Sequence, residues 1–170
     1  MGRVRPVLHR SLSRPAIKGA VAAADSRFMG ARRTEDDAMT ERDITVLIVD
    51  DAPEALKNLR ALLRALGYAR VEVANSVKIA QGIVNQQNID VVLCDMKMPG
   101  ADGLAFLQGL RSDPRFAKLP FVMVSAQAAK QPVVAALKAG ADAYVLKPAS
   151  PEVIDAKIQS VLIPTSESTA

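Results

Sequence analysis

The stretch Val91-Val92-Leu93-Cys94-Asp95-Met96-Lys97-Met98-Pro99-Gly100 is an apolar run that ends abruptly in a carboxylate and then turns. A short continuous apolar run bounded by turn residues reads as a strand buried on both faces of a parallel sheet. Asp95 then stands at the strand's carboxyl end, and the crevice outside the carboxyl ends is where open α/β sheets bind ligands. Taken alone, Asp95 has two readings of equal weight: a site carboxylate, or a cap for the following turn.

Three further stretches carry the same punctuation. Thr45-Val46-Leu47-Ile48-Val49 ends in Asp50-Asp51, Pro120-Phe121-Val122-Met123-Val124 ends in Ser125, and Ala143-Tyr144-Val145-Leu146 ends in Lys147-Pro148. In a parallel sheet all these side chains converge on one edge.

With 170 residues, 49% of them apolar, the chain suits one globular domain with a sizeable core and is too short for two ordinary ones. No apolar stretch approaches the length of a membrane span. The single cysteine, Cys94, excludes an intrachain disulfide and points to a cytoplasmic setting; inside a buried strand it reads as a small core residue. The net charge of +4 is concentrated at the start, where residues 1–43 carry nine Lys/Arg against six Asp/Glu, and the remainder carries thirteen against twelve. Residues 1–43 read as a flexible basic arm resembling a transit peptide only superficially, or as a misassigned leader ahead of Met39. The one histidine, His9, lies in that arm and reads as a solvated residue.

From residue 44 to 162 strand and helix alternate. Leu56, Leu59, Leu62, Leu63 and Leu66 share one face of a helix over Pro53–Leu66, and Arg70 to Val73 reads as a strand. Ser76 caps a helix to about Gln87, the central strand spans Asp90–Cys94, and Pro99, Gly100 and Gly103 mark a tight turn over Asp95–Asp102. Helices follow over Leu104–Arg111, from Pro132 in a first turn to Gly140, and from Pro151 to about Leu162; residues 163–170 form a polar tail. The order βαβαβαβαβα implies a doubly wound parallel sheet with right-handed crossovers. Of the two common strand orders, five strands without a Gly-rich first turn favour the flavodoxin-like (βα)5 order 2-1-3-4-5.

In that order Asp50, Asp51 and Asp95 crowd at the switch point between neighbouring strands. Three carboxylates so placed are tolerable with a cation among them, and hard oxygen ligands fit Mg²⁺ rather than Zn²⁺, for which no His/Cys set exists. Ser125 and Lys147 add a hydroxyl and a second positive charge, so that a multi-oxygen anion would bridge metal, hydroxyl and ammonium. That is the electrostatic clamp of phosphoryl transfer, and an Asp carboxylate is a known covalent phosphoryl acceptor. Asp95 is therefore the expected acceptor. Lys147 serves equally as a resting counter-ion, and the two roles are compatible.

From about Thr45 to Leu162 the chain resembles the CheY-like receiver domain of two-component response regulators, a named example of this strand order. The marks are Asp50-Asp51, Asp95-Met96-Lys97-Met98-Pro99-Gly100 with Asp102-Gly103, Ser125-Ala126 and Lys147-Pro148. The resemblance implies that Asp51, Asp95 and the Lys97 backbone carbonyl bind Mg²⁺, with Asp50 reaching it through water. It implies that Lys147 and Ser125 contact the phosphoryl oxygens, that the Lys147-Pro148 peptide is cis, and that Ser125 and Tyr144 form a switch. Lys97 and Gln127 take the positions that tune phosphoaspartate hydrolysis. The implied donor is a sensor histidine kinase or a histidine phosphotransfer protein, or a small phosphodonor. Ala149 departs from the family's frequent Phe after Lys-Pro, which puts in doubt any partner contact that would use that aromatic.

The expectation is thus a single-domain response regulator. It is a monomer or a phosphorylation-dependent dimer, not an enzyme beyond accepting and losing its own phosphoryl group. It switches a downstream target protein through the face of the fourth helix, fifth strand and fifth helix, with no DNA-binding domain and no membrane segment. The rivals are a phosphohydrolase, which would want an acid where Lys97 stands, a phosphorylation-independent binding module, and nucleic-acid binding through the basic arm.

Overall fold

The computed structural model describes residues 42–163; the proposed arm up to residue 41, with His9 and Met39, and residues 164–170 lie outside it. Strands are β1 (Arg42–Val49), β2 (Tyr68–Ala74), β3 (Val91–Asp95), β4 (Lys97–Met98), β5 (Ala101–Asp102), β6 (Phe121–Ser125) and β7 (Ala143–Leu146). Helices are α1 (Pro53–Ala65), α2 (Val77–Gln86), α3 (Gly103–Ser112), α4 (Lys130–Lys138) and α5 (Pro151–Leu162). The main sheet runs β2-β1-β3-β6-β7 with every pair parallel, which is the order 2-1-3-4-5 once the separate β4–β5 hairpin is set aside.

Alternation along the strands explains the two layers of helices. Val46 and Ile48 of β1, with Leu93 of β3 and Val122 and Val124 of β6, pack against Leu56 and Leu63 of α1 and Ile154 and Ile158 of α5. Leu47 and Val49, with Val92, Cys94, Phe121 and Met123, pack against Ala80 and Val84 of α2, Phe106, Leu107 and Leu110 of α3 and Ala136 of α4. Both faces are covered, which is why the strand sequences read as unbroken apolar runs. Ser76 and Ser150 cap α2 and α5 as expected, accepting from the amides of Ile79 and Val153. Among the described residues no helix is long and apolar enough to cross a membrane.

The differences from the sequence reading are local. The region read as one loop between β3 and α3 contains a two-residue antiparallel hairpin, Lys97–Met98 with Ala101–Asp102, turning at Pro99-Gly100 with Gly100 at φ +71°. Strand β1 begins at Arg42, inside the stretch assigned to the arm, because Arg42 pairs with Tyr68 across the β1–β2 ladder and its amide donates to the Gly67 carbonyl at 2.9 Å. Its guanidinium donates to the Tyr68 hydroxyl and to Asp155 of α5, while Tyr68 also donates to Asp155 and accepts from Gln159.

Arg111, at the end of α3, ties three segments together. It donates to the carbonyls of Gly140, Phe116 and Leu119 and pairs with Asp142, whose carboxylate also accepts the Phe121 amide at the head of β6. Arg111→Ala removes these bonds from a largely buried position and is expected to lower stability by about 2–4 kcal/mol, read from urea unfolding midpoints.

Asp155 carries an acid-side signature. Burial works against its charge, but the bonds from Arg42 and Tyr68 outweigh it, so its pKa lies below the usual 3.8. A carboxyl held below its unfolded value stabilises the fold above that value, and the contribution is lost as pH falls through the folded one. Asp155→Asn is therefore expected to flatten the decline of stability below about pH 4, measured by unfolding across the acid range.

Candidate functional site: a carboxylate pocket at the sheet edge

The ladder registers place the five chemical side chains at one edge. Val49 pairs with Cys94, so Asp50 and Asp95 follow side by side; Asp95 pairs with Val124, and Ser125 with Leu146. Lys147 leaves β7 beside Ser125 and donates its amide to the Ser125 carbonyl at 2.8 Å.

One carboxylate oxygen each from Asp50, Asp51 and Asp95 lies within 4.8 Å of the others, a set able to coordinate a divalent cation. Asp50 is buried, Asp95 partly buried and Asp51 exposed. The buried acid is the one held most firmly. One oxygen of Asp50 accepts the Ala52 amide at 2.9 Å, and the other accepts Lys147 Nζ at 2.8 Å. The same Nζ donates to Asp95 Oδ1 at 3.2 Å, so one ammonium bridges two acids. Burial pulls the Lys147 pKa down, but the bond to Asp50 and the charges of Asp95 and Asp50 outweigh it and leave it above the usual lysine value. For Asp95, burial is the larger influence and raises its pKa despite Lys147. The all-oxygen donor set matches a hard cation, and three crowded carboxylates leave negative charge that one lysine does not neutralise.

Ser125 is 2% exposed, and its Oγ accepts the Gln127 amide at 3.1 Å. Tyr144 is half-buried, and its hydroxyl donates to the Gln127 carbonyl at 2.9 Å rather than resting only in water. The N–H and C=O of Gln127 thus hold the serine and the tyrosine together. Lys97 extends an exposed side chain from the hairpin, and Gln127 is partly exposed. The Lys147-Pro148 peptide is cis, as the resemblance implied. Cys94 is fully buried and its thiol pKa is pushed up by burial and by neighbouring Asp95, in keeping with a core role.

Two contributors were not legible as site residues. Ala52 acts through its amide alone. Gly103, read as a turn residue, opens α3 directly against the end of β3: a Cβ there would lie 2.1 Å from the Asp95 carbonyl oxygen. The Asp102-Gly103 pair carries both halves of this junction, since Asp102 accepts the Leu104 amide at 2.9 Å as the cap of α3.

A parallel five-stranded α/β domain whose carboxyl edge brings acids, a lysine and a hydroxyl into one pocket is a protein of the phosphoryl-accepting signalling class. The chain belongs to the response regulator receiver domain family, which matches residues 46–159. It is 34% identical over 116 residues to the chemotaxis protein CheY of Pseudomonas aeruginosa, covering 68% of this chain and 94% of that one. It is 33% identical over 118 residues to the chemotaxis protein CheY1 of Helicobacter pylori, covering 69% and 95%. A CheY-like response regulator receiver domain protein from Methanospirillum hungatei superposes with a TM-score of 0.64 at 29% identity, over 70% of this chain and 93% of that one. Receiver domains accept a phosphoryl group on an acidic cluster and do not turn over an external substrate as catalytic enzymes do.

Gly103→Ala is expected to displace the end of β3 and to lose most phosphoryl acceptance. Gly109→Ala on the same helix, where a Cβ meets nothing within 4 Å, is expected to keep acceptance and gain about 0.5–1 kcal/mol of stability. Adduct formation with a small phosphodonor and thermal unfolding of the two variants distinguish the effects.

Proposed function

We propose that Asp95 is the phosphoryl acceptor, with Mg²⁺ held by Asp51, Asp95 and the Lys97 backbone carbonyl and with Asp50 reaching the ion through water. The observation that carries this reading is the Lys147 ammonium shared by Asp50 and Asp95 beside three converging carboxylates. The metal, when bound, neutralises the oxygens of the group in transfer. An Asp95 oxygen forms the new bond to phosphorus as the bond to the donor's imidazole nitrogen breaks, and the imidazole keeps that electron pair and takes a proton from water. Lys147 already donates to one Asp95 oxygen, so its charge stays beside the acceptor as negative charge moves from carboxylate to phosphoryl group.

Ser125 supplies the readout. Its Oγ accepts from Gln127 in the resting arrangement, leaving its own proton free for a phosphoryl oxygen. Moving toward that oxygen releases the Gln127 amide, and the carbonyl of the same residue holds Tyr144. Phosphorylation thereby shifts a two-state equilibrium at the face of α4, β7 and α5, where Leu137, Leu146 and Val153 are exposed. That face is the proposed contact for a downstream target protein. The proposed donor is a sensor histidine kinase or histidine phosphotransfer protein, and Lys97 and Gln127 border the path of the water that later removes the group.

The test is intact-mass measurement after exposure to a small phosphodonor, with and without Mg²⁺, for the wild type and Asp95→Asn. A single Mg²⁺-dependent phosphoryl adduct is expected in the wild type and none in the variant, while Tyr144→Ala keeps the adduct and loses the accompanying change in target-face exposure. An adduct that survives in Asp95→Asn overturns the assignment.

A further inference from the structure

At the edge of the sheet opposite β7, an open cleft of about 420 Å³ lies between α1 and β2, lined by Leu56, Lys57, Arg60, Ala61, Arg64 and Val73. Lys57, Arg60 and Arg64 follow the three- and four-residue spacing that places side chains along one stripe of a helix. None of them forms an ion pair among the described residues, and no acid lines the cleft. Glu72 neighbours Val73 in β2, but alternation sends its side chain to the other face of the sheet. The floor is apolar, from Leu56 and Val73, and Ala61 leaves a shallow place in the middle of the basic stripe.

We propose that this cleft docks an acidic amphipathic helix of a partner protein. From Lys57 to Arg64 the stripe runs about 10 Å along α1, so an occupant that meets all three cations carries its negative charges over two turns of helix. Carboxylates at i, i+3 or i+4, and i+7 do this, and an apolar residue between them reaches Leu56 and Val73. Ala61 lets the two helix axes approach closely. A nucleic acid fits less well: three cations give few phosphate contacts, and no aromatic lines the cleft to stack a base. The surface does not depend on the phosphorylation chemistry, so a protein that fails to take up phosphate would still be expected to bind here.

The full chain is titrated by fluorescence anisotropy with two synthetic helical peptides of identical composition. One places glutamates at i, i+3 and i+7 around a central leucine, and the other distributes the same residues around the helix; a DNA duplex is the third probe. The patterned peptide is expected to bind at least about tenfold more tightly than its permuted counterpart. Charge reversal by Lys57→Glu, Arg60→Glu and Arg64→Glu together is expected to weaken it by about tenfold or more, and a lysine version of the peptide is expected to bind the reversed protein. Circular dichroism and phosphodonor adduct formation verify that the variant is folded, and Arg60→Glu alone carries the comparison if the triple variant is not. Equal binding of the two peptides, indifference to charge reversal, or tighter binding of the duplex with the same dependence on the three cations overturns the proposal.

Discussion

The ammonium of Lys147, donating to Asp50 and Asp95 together, is the contact on which the carboxyl edge of the sheet depends. Two ionised carboxylates at the separation found here repel by roughly 3–4 kcal/mol at an effective dielectric near 20, and a third adds to it. The fold brings them together because β1 and β3 are direct neighbours, with Val49 beside Cys94. A cation reaching in from β7, two strands away from β3, offsets part of that repulsion. The remainder is negative charge of the kind a divalent cation would offset. The raised pKa of Asp95, set mainly by burial, belongs to the same balance: the acid stands in the pocket with less solvation than it would have in water.

Reach explains why lysine suits this position. The backbone of Lys147 is anchored to the Ser125 carbonyl, and a four-carbon stem spans from β7 across β6 to the acids. Asp50 in turn is locked by the Ala52 amide. The pocket is thus preorganised on its buried side, where Asp50, Lys147 and Ser125 meet the sheet. Its solvent side is open, at exposed Asp51 and Lys97. Such a division keeps the buried strand ends fixed while leaving the acids reachable from solvent.

Much of this was legible in the sequence, because strands buried on both faces announce themselves as apolar runs and their last residues announce the site. Asp50, Asp51, Asp95, Ser125 and Lys147 each stand directly after or at the end of such a run, so fold and pocket were read from the same feature. What was not legible involves groups whose side chains carry no chemical label. Ala52 contributes a backbone amide, and Gly103 contributes the absence of a Cβ against Asp95. The β4–β5 hairpin is two residues a side, too short for alternation to show. The roles of Arg111 and Arg42 were not legible because their partners lie far along the chain: Gly140 and Asp142 for one, Tyr68 and Asp155 for the other.

In the proposed switch, the arrangement around Gln127 is what would turn a local charge change into a change of surface. Ser125 is nearly inaccessible, and Tyr144 packs beside the cluster beneath α4, so neither moves through open solvent. One residue serves both, the Gln127 N–H on the serine oxygen and the Gln127 C=O on the tyrosine hydroxyl. A serine that turns toward a phosphoryl oxygen leaves that N–H without its partner, and an unpaired backbone donor at a partly buried position is costly. In that proposal the loop would then take another arrangement, and the tyrosine would lose or follow its acceptor. The coupling needs no long chain of contacts. It requires only that the two side chains bond the N–H and the C=O of one residue, Gln127, which two adjacent strands ending at the same level of the sheet bring within reach of both.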